Sequence, residues 1–374
     1  MASYVSTTIL FVKSWDAIAV GGGIIGLSLA ISLRKHGVKV LVVERSEPGR
    51  EASHAAAGML AGSGAEIPAK LTEIAEESAR MYPEFVHEIE DESGLKVDLR
   101  EHGTILISTD GTFPVSAEKL SRDKLQTLEP ALAPESLLFP AAYLAERSVD
   151  PRALVAATIK AAKHRGVDIS SGTEVKSIQV EKNRVVGVRT DKASYPAPIV
   201  VNCAGAWAGC IGPQRFPVKP IKGQMLALVN APALKHVVRS EKVYLVPRSD
   251  GRLVVGSTLE DAGYNKRTDA DTIQSLFDAA VEIMPRLASA KRNEDWAGLR
   301  PGTPDELPIL GEAGIDGYFV ASGHYRDGIL LAPITAQIMT RLILREPVVH
   351  DLQPFSPARF TSSSRFTTGH RENH

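Results

Sequence analysis

The chain has 374 residues, which is enough for two or three domains with a full apolar core. Hydrophobic residues make up 44% and charged residues 23% of it, a balance that excludes a disordered or fibrous chain. Lysine and arginine (43) nearly cancel aspartate and glutamate (44), so no basic field favours nucleic acid as a partner.

Targeting and metal signals are absent from the sequence pattern. The longest apolar stretch, residues 17–33, contains four glycines and two serines, so we expect no stable membrane insertion. Residues 1–13 lack a basic n-region and a cleavage site, and we interpret them as a short leader. The two cysteines, Cys203 and Cys210, match neither a CxxC pair nor a zinc site. We therefore expect a reducing, cytoplasmic setting and no metal.

The first predicted elements form a βαβ unit. A strand over 16–20 leads into Gly21-x-Gly23-x-x-Gly26, after which apolar residues recur at helical spacing as far as Gly37. A second strand over 38–43 ends at Glu44. Such a unit, about thirty residues long, implies a parallel sheet, so the fold begins as a doubly wound α/β domain.

The remaining pattern indicates a second domain inserted into the first. After the βαβ unit we predict a helix over 69–92, short strands over 97–109, a helix over 116–128, a helix opened by Asp150-Pro151, and strands over 174–180, 184–190 and 199–202. An antiparallel sheet follows, with strands over 224–229, 242–246 and 253–256 and one helix over 268–284. The chain then has a strand over 318–322, an apolar helix over 328–345 and a frayed tail of twenty residues.

The predicted fold class is therefore α/β, with an α+β second domain. A Rossmann-like dinucleotide-binding domain would comprise residues 1–84, 150–215 and 300–374. A substrate-binding domain built on the antiparallel sheet would comprise residues 85–149 and 216–299.

The glycine motif predicts a dinucleotide site because it follows a strand and opens a helix. Gly21 would make the turn, Gly23 would admit a pyrophosphate, and Gly26 would allow close packing of the helix. Glu44, at the end of the next strand, can accept hydrogen bonds from both hydroxyls of an adenosine ribose and would repel a 2′-phosphate. FAD or NAD therefore fits better than NADP.

Several further motifs make the chain recognisable. The small-residue run over 49–60, which includes Ala55-Ala-Ala-Gly-Met-Leu60, resembles the flavin-contacting segment of the D-amino acid oxidase superfamily, particularly its glycine oxidase branch. The resemblance extends from about residue 16 to residue 344. Its other motifs, in order, are Val201-Asn-Cys-Ala-Gly205-Ala-Trp207, Tyr244-Leu-Val-Pro-Arg248, Trp296-Ala-Gly-Leu-Arg300-Pro-Gly302 and Gly323-His-Tyr-Arg326-Asp-Gly328.

The resemblance implies FAD as the cofactor and a homo-oligomer. Some amine-oxidising relatives bind FAD covalently through a histidine before Ala-Ala-Gly, but His54 is displaced by one residue, so we expect non-covalent FAD. The residues expected at FAD are Gly21, Gly23, Ile24, Ile25, Gly26, Glu44, Arg45, Ser53, Ala56, Ala57, Gly58, Met59, Val175, Cys203, Ala204, Gly205, Trp207, Gly302, Gly323, His324, Arg326, Asp327, Gly328, Ile329 and Leu330.

The resemblance also implies a substrate site. A substrate carboxylate needs a planar donor with two prongs, and Arg300 stands where the family has its carboxylate-binding arginine. Tyr244 would add a hydrogen bond, and Arg326 would lie near substrate and flavin. Met59 and Leu259, with the loop over 261–264, would set the pocket size.

The implied reaction is hydride transfer from the substrate α-carbon to flavin N5, oriented by the carboxylate contact. The amides of Gly328 and Ile329, at a helix start, would face the N1/C2=O edge of the flavin. Glycine, sarcosine or a small D-amino acid would give an imine and then a 2-oxo acid, with hydrogen peroxide from O₂. The alternatives are a D-amino acid dehydrogenase that reduces a quinone or a partner protein, a module of a tRNA-modifying or other multi-component protein, and a non-catalytic flavin module.

Overall fold

The computed structural model describes residues 14–62, 67–132 and 139–360. The expected leader and most of the expected tail lie outside these residues. The helices in the described part are α1 (Ile24–Lys35), α2 (Ala52–Ala55), α3 (Thr72–Ser93), α4 (Arg122–Leu128), α5 (Pro151–His164), α6 (Ala270–Ile283) and α7 (Ala332–Ile343). The strands are β1 (Ala17–Val20), β2 (Val40–Val43), β3 (Met59–Leu60), β4 (Leu99–Arg100), β5 (Thr104–Ile107), β6 (Glu118–Leu120), β7 (Ala141–Leu144), β8 (Arg147–Val149), β9 (Asp168–Ser170), β10 (Val175–Glu181), β11 (Arg184–Thr190), β12 (Ser194–Pro196), β13 (Ile199–Asn202), β14 (Lys219–Val229), β15 (Val237–Arg239), β16 (Tyr244–Pro247), β17 (Leu253–Gly256), β18 (Lys291–Gly302), β19 (Ile309–Glu312) and β20 (Tyr318–Ser322).

A six-stranded sheet in the order β19-β20-β13-β1-β2-β9 forms the centre of the nucleotide-binding part. Its neighbours are parallel except for β19 and β20, which confirms the predicted parallel sheet. Because side chains alternate along a strand, Ala17 and Ala19 face the helical layer of α1, α3, α5 and α7, whereas Ile18 and Val20 face the other side.

That other side differs from a doubly wound fold, because an antiparallel meander of β10, β11 and β12 covers it instead of helices. A two-residue turn, Lys182 and Asn183, joins β10 to β11 with φ of 46° and 62°. Positive φ at both positions is the geometry of a tight hairpin, so the chain returns at once rather than entering a crossover helix.

The second large sheet has eight strands in the order β18-β14-β17-β16-β15-β5-β7-β6. Its pairs are antiparallel except β15 with β5, which joins two distant chain segments. One face packs against α6 in an apolar cluster, and Met225, Val246 and Val254 on the opposite face pack near α2. This second face of the sheet lies on the side of the nucleotide-binding part. Helix α3 and strand β18 run across the expected boundaries at 84/85 and 299/300, so the division into domains stays a prediction.

Two predicted helices begin later than expected. In the predicted helix over 116–128, residues Glu118–Leu120 form β6 and the helix starts after Ser121, whose Oγ accepts a hydrogen bond from the Lys124 amide at 3.2 Å. The last long helix begins at Ala332 rather than at residue 328, with turns before it. Among the described helices, none has the length and apolar character to cross a bilayer.

Candidate active site

A continuous cavity of about 610 Å³ lies between the two large sheets. It brings together most of the predicted site residues. Those that line it are Gly21, Gly23, Ile24, Ile25, Glu44, Arg45, Ser53, Ala56, Ala57, Gly58, Met59, Val175, Cys203, Ala204, Gly205, Trp207, Tyr244, Leu259, Arg300, His324, Arg326, Asp327, Gly328 and Ile329. Gly26, Gly302, Gly323 and Leu330 are not in this lining.

The glycine-rich turn needs its glycines for close backbone approach. Gly21 has φ of +111°, and a Cβ there would lie 2.4 Å from the carbonyl oxygen of Cys203. A Cβ on Gly26 would lie 2.1 Å from the Gly21 carbonyl oxygen. Gly26 therefore lets α1 approach the turn from behind, which is the packing role expected of the third glycine.

Glu44 is held in place by its own neighbours. Its Oε2 accepts a hydrogen bond from the Gly22 amide at 2.8 Å, and its Oε1 accepts one from the Ser46 amide at 3.0 Å. The residue is only 9% exposed and lines the cavity. Oε1 also accepts a hydrogen bond from Ser46 Oγ at 3.2 Å, so the second lone pair of Oε2 is the acceptor that remains for a ribose.

The end of the cavity near Glu44 carries a stack of side chains. The Arg45 guanidinium lies 3.6 Å from the centroid of the Trp207 ring, and Trp207 stacks on Tyr264 at 5.2 Å. The Glu51 carboxylate forms ion pairs with Arg45, at 2.9 Å, and with Lys266, at 3.0 Å. Thus the expected pocket loop over 261–264 places Tyr264 on Trp207. No local sequence signal marks Lys266, which comes from a distant segment.

The small-residue segment after α2 is anchored by the second sheet. Arg248 is buried, and its guanidinium donates hydrogen bonds to the carbonyl oxygens of Ala57 at 2.5 Å and Val149 at 3.1 Å. Burial lowers the pKa of Arg248 to about 10. Gly58 has φ of +76°, and a Cβ there would lie 2.1 Å from the Val149 carbonyl oxygen. This segment can therefore present bare backbone to a flat ring.

The His54 side chain does not line the cavity. Its Nε2 lies 3.1 Å from Nη1 of Arg50. Burial, followed by the positive charges of Arg152 and Arg50, lowers its pKa.

Arg300 and Tyr244 come together on the cavity face of the second sheet. The Arg300 guanidinium donates to Ser257 Oγ at 2.7 Å and to the Thr258 carbonyl oxygen at 3.2 Å. The Tyr244 hydroxyl lies 3.0 Å from the Met225 sulfur, and burial raises its pKa despite the nearby Arg300 charge. Ser257 and Thr258 are site residues that sequence reasoning missed, since they carry no motif of their own.

The other predicted pocket residues surround this pair. Met59 is partly buried in the cavity wall, and Leu259 is 55% exposed. Arg326 lines the cavity, with its guanidinium 5.1 Å from the Tyr325 ring centroid. Arg239, which the sequence reasoning also missed, lines the cavity and is paired in register with Tyr244 on the neighbouring strand.

The turn before α7 forms the remaining wall. The amides of Gly328 and Ile329 donate no hydrogen bond to any other residue that the structure describes, and both residues line the cavity. His324 is buried, its Nε2 lies 3.1 Å from Thr335 Oγ1, and burial lowers its pKa to about 3. It is therefore neutral at physiological pH, and Thr335 fixes its ring.

Comparisons with known proteins agree with this arrangement. A family model described as FAD dependent oxidoreductase (DAO) matches residues 16–342. The chain is 36% identical over 357 residues to the glycine oxidase of Bacillus licheniformis, covering 90% of this chain and 95% of that protein. It superposes on the crystal structure of glycine oxidase from Geobacillus kaustophilus with a TM-score of 0.87 and 31% identity, covering 93% of this chain and 99% of that one.

A further relative is longer than this chain. The bifunctional protein ThiO/ThiG of Synechocystis sp. is 36% identical over 362 residues, covering 93% of this chain but 54% of the relative. The chain thus spans about half the length of that curated relative.

The fold and the cavity define a mixed α/β oxidoreductase with a Rossmann-like dinucleotide-binding domain. The chain belongs to the DAO family of FAD-dependent oxidoreductases, and FAD is its cofactor. The residues present fit that cofactor: the turn at Gly21 excludes any Cβ, Oε2 of Glu44 retains a lone pair, and the amides of Gly328 and Ile329 in the cavity lining donate to no other residue of the described chain.

Proposed function

We propose that the protein oxidatively deaminates glycine, sarcosine and small D-amino acids. For an amino acid, one O₂ and one water are consumed, and a 2-oxo acid, ammonia and hydrogen peroxide are released; sarcosine releases methylamine instead of ammonia. The observation that carries the proposal is the guanidinium of Arg300 in the same cavity as the glycine-rich turn, beside Tyr244. The glycine oxidases among the relatives support the substrate class.

Arg300 is suited to bind the substrate carboxylate. Its Nη atoms contact Ser257 Oγ and the Thr258 carbonyl oxygen, and both acceptors are neutral, so its positive charge remains available for an anion. A planar guanidinium donates two parallel hydrogen bonds to a carboxylate, which sets the orientation of the bound acid as well as its affinity. The Tyr244 hydroxyl stays protonated because burial raises its pKa, so it can donate a further hydrogen bond.

The contacts of Arg300 and Tyr244 with the substrate act by holding it in one orientation. When bound, FAD would supply the acceptor for a hydride from the substrate α-carbon and the path of the electrons to O₂. A carboxylate fixed at Arg300 limits which face of the α-carbon is presented, and that orientation is the main contribution required of the protein. His324 supplies no base in this scheme because it is buried against Thr335.

The pocket around Arg300 is apolar and adaptable. Met59, Met225 and Leu259 line it, and methionine fills irregular space easily. An apolar pocket distinguishes one methylene group by only about 1–3 kcal/mol. We therefore propose overlapping activity on several small substrates rather than strict selection of one.

Anaerobic titration of the purified holoenzyme tests the proposal. Glycine, sarcosine, D-alanine and D-proline are added while the flavin absorbance is recorded, with L-alanine as the control, and air is then admitted with peroxide detection. We expect bleaching by the first four and stoichiometric peroxide on aeration. Bleaching without fast reoxidation would replace the oxidase by a dehydrogenase that uses a quinone or a partner protein. Bound flavin that none of these substrates bleaches would contradict the proposed substrate class.

The same preparation tests non-covalent attachment. The position of His54, outside the cavity and against Arg50, supports it. Acid precipitation is expected to release all FAD into the supernatant, and a yellow pellet would contradict this.

A further inference from the structure

The turn between β20 and α7 presents unpaired amides on its cavity side. The Leu331 amide donates to the Asp327 carbonyl oxygen at 2.8 Å, as in one turn of an α-helix. In such a turn the carbonyls share one direction and the amides the opposite one. The amides of Gly328, Ile329 and Leu330 donate to no other residue within the described part of the chain.

The carbonyl side of this turn is held by two hydroxyl groups of α3. The Tyr82 hydroxyl donates to the Ile329 carbonyl oxygen at 2.5 Å, and Ser78 Oγ donates to the Leu330 carbonyl oxygen at 2.6 Å. Both side chains are completely buried. Two buried hydroxyl groups, four residues apart on one helix, therefore hold two successive carbonyls of a segment some 250 residues away.

Pro333 explains why an external donor is needed. In a regular helix the amide of residue 333 would donate to the Ile329 carbonyl oxygen, but proline has no amide hydrogen. The remaining backbone donor is the Ala332 amide, at a long 3.2 Å. The Tyr82 hydroxyl thus occupies the place of the missing helical donor, which is why this turn stays ordered ahead of α7.

We propose that Tyr82 and Ser78 are positioning residues for the flavin. By fixing the carbonyls of Ile329 and Leu330, they hold this turn in place and with it the amides of Gly328 and Ile329, two residues that line the cavity, where negative charge develops on the N1/C2=O edge when the flavin is reduced. This inference rests on the proposed placement of the flavin ring against this turn.

The consequence is a shift in flavin energetics rather than a loss of the cofactor. Removing the Tyr82 hydroxyl leaves the Ile329 carbonyl with its long bond to Ala332 and frees the turn to move. The turn then stabilises the anionic reduced flavin less. It also stabilises less the anionic adduct that sulfite forms at flavin N5. We expect sulfite affinity to fall about 3- to 10-fold. A tenfold change in the equilibrium constant of a two-electron couple corresponds to about 30 mV, so the midpoint potential falls by roughly 15–30 mV.

The test compares Tyr82→Phe and Ser78→Ala holoenzymes with a matched control. Tyr318→Phe removes another fully buried tyrosine hydroxyl, which lies 3.3 Å from Asn202 Nδ2 among the residues that pack on the meander side of the central sheet. Sulfite titration and dye-equilibrium potentiometry are measured without any amino acid, together with FAD content and thermal unfolding. We expect lower sulfite affinity and a lower potential in the two α3 variants, with both unchanged in Tyr318→Phe.

Sulfite affinity and potential equal to wild type in a folded, flavin-loaded Tyr82→Phe enzyme would overturn the proposal. Equal shifts in Tyr318→Phe would also overturn it, because they would show a general effect of core hydroxyl loss. If Tyr82→Phe does not fold, Ser78→Ala and Ser78→Thr decide: threonine keeps the hydroxyl and is expected to restore the potential that alanine lowers. Equal potentials in these two variants would overturn the proposal. Since no substrate is used, these results are independent of whether the proposed amino acids are oxidised.

Discussion

A methyl group at position 223 would displace the Arg300 guanidinium without touching the substrate. Gly223 lies on β14 opposite Gly298 of the paired strand β18, two residues from Arg300. A Cβ built on Gly223 would lie 2.3 Å from Arg300 Nη1 and 2.6 Å from Nη2. Gly223 does not have a left-handed backbone, so alanine suits the strand. The flexible guanidinium, rather than the backbone, is therefore what moves in Gly223→Ala.

The size of the effect follows from the hydrogen bonds that Arg300 would lose. Displacement breaks its contacts to Ser257 and Thr258 and leaves one good hydrogen bond to the substrate carboxylate instead of two. A hydrogen bond to a charged group contributes about 1.5–3 kcal/mol, which corresponds to a roughly 10- to 150-fold lower kcat/KM. The free energy of unfolding is expected to change little, because alanine is at least as compatible with a strand as glycine.

The assay is anaerobic flavin reduction at a series of glycine concentrations, with acetate titration as a separate measure of carboxylate affinity. Arg300→Ala provides the control in a double-mutant cycle. If Gly223→Ala acts through Arg300, it adds no further loss in the Arg300→Ala background. Unchanged acetate affinity in Gly223→Ala, or a full additional loss in the double variant, would refute the role assigned to Arg300.

Three further predictions concern the cofactor and pH. Glu44→Gln replaces a carboxylate oxygen with an NH2 group, which cannot accept the hydrogen bond from the Gly22 amide. This change is expected to weaken FAD binding about 10- to 100-fold, which flavin fluorescence titration measures. Tyr264→Ala removes the stack on Trp207, worth about 0.5–1.5 kcal/mol, and should raise the FAD dissociation constant roughly 2- to 12-fold; an unchanged constant would contradict this. Burial lowers the pKa of His324 to about 3, below about 6.5 in the unfolded chain, so its contribution to stability is present above pH 6.5 and is lost as the pH falls towards 3. Between pH 7 and 4.5, urea titration should show wild type losing about 2.5 kcal/mol more than His324→Gln, and equal losses would contradict the buried neutral ring.

Local spacing was sufficient to predict the βαβ unit and a dinucleotide ligand, whereas the choice of FAD over NAD came from the family resemblance. Gly21, Gly26 and Glu44 act within one short segment, and a strand, a tight turn and a helix in sequence leave few arrangements of the backbone. The predicted parallel sheet and FAD-binding fold were confirmed for the same reason. The start of α7 was predicted too early, because apolar periodicity continues through residues 328–331 although Pro333 interrupts the hydrogen-bond ladder.

The cavity residues that sequence reasoning missed share one property. Ser257 and Thr258 follow β17 and contact Arg300 on β18, two strands away in the same sheet, and no pattern in their neighbours records that contact. The same holds for Tyr82, which meets Ile329 across 247 positions of sequence.

The amino-acid sequence by itself determined the dinucleotide-binding unit, because a glycine turn and a strand-end glutamate work over short distances, and its resemblance to a known family implied the oxidoreductase class. Only the tertiary structure decided how the meander covers the central sheet, where His54 points and which side chains hold Arg300 and the turn at Ile329. These contacts depend on the packing of elements far apart in the chain. Such packing is set by shape and burial over the whole molecule rather than by any local pattern.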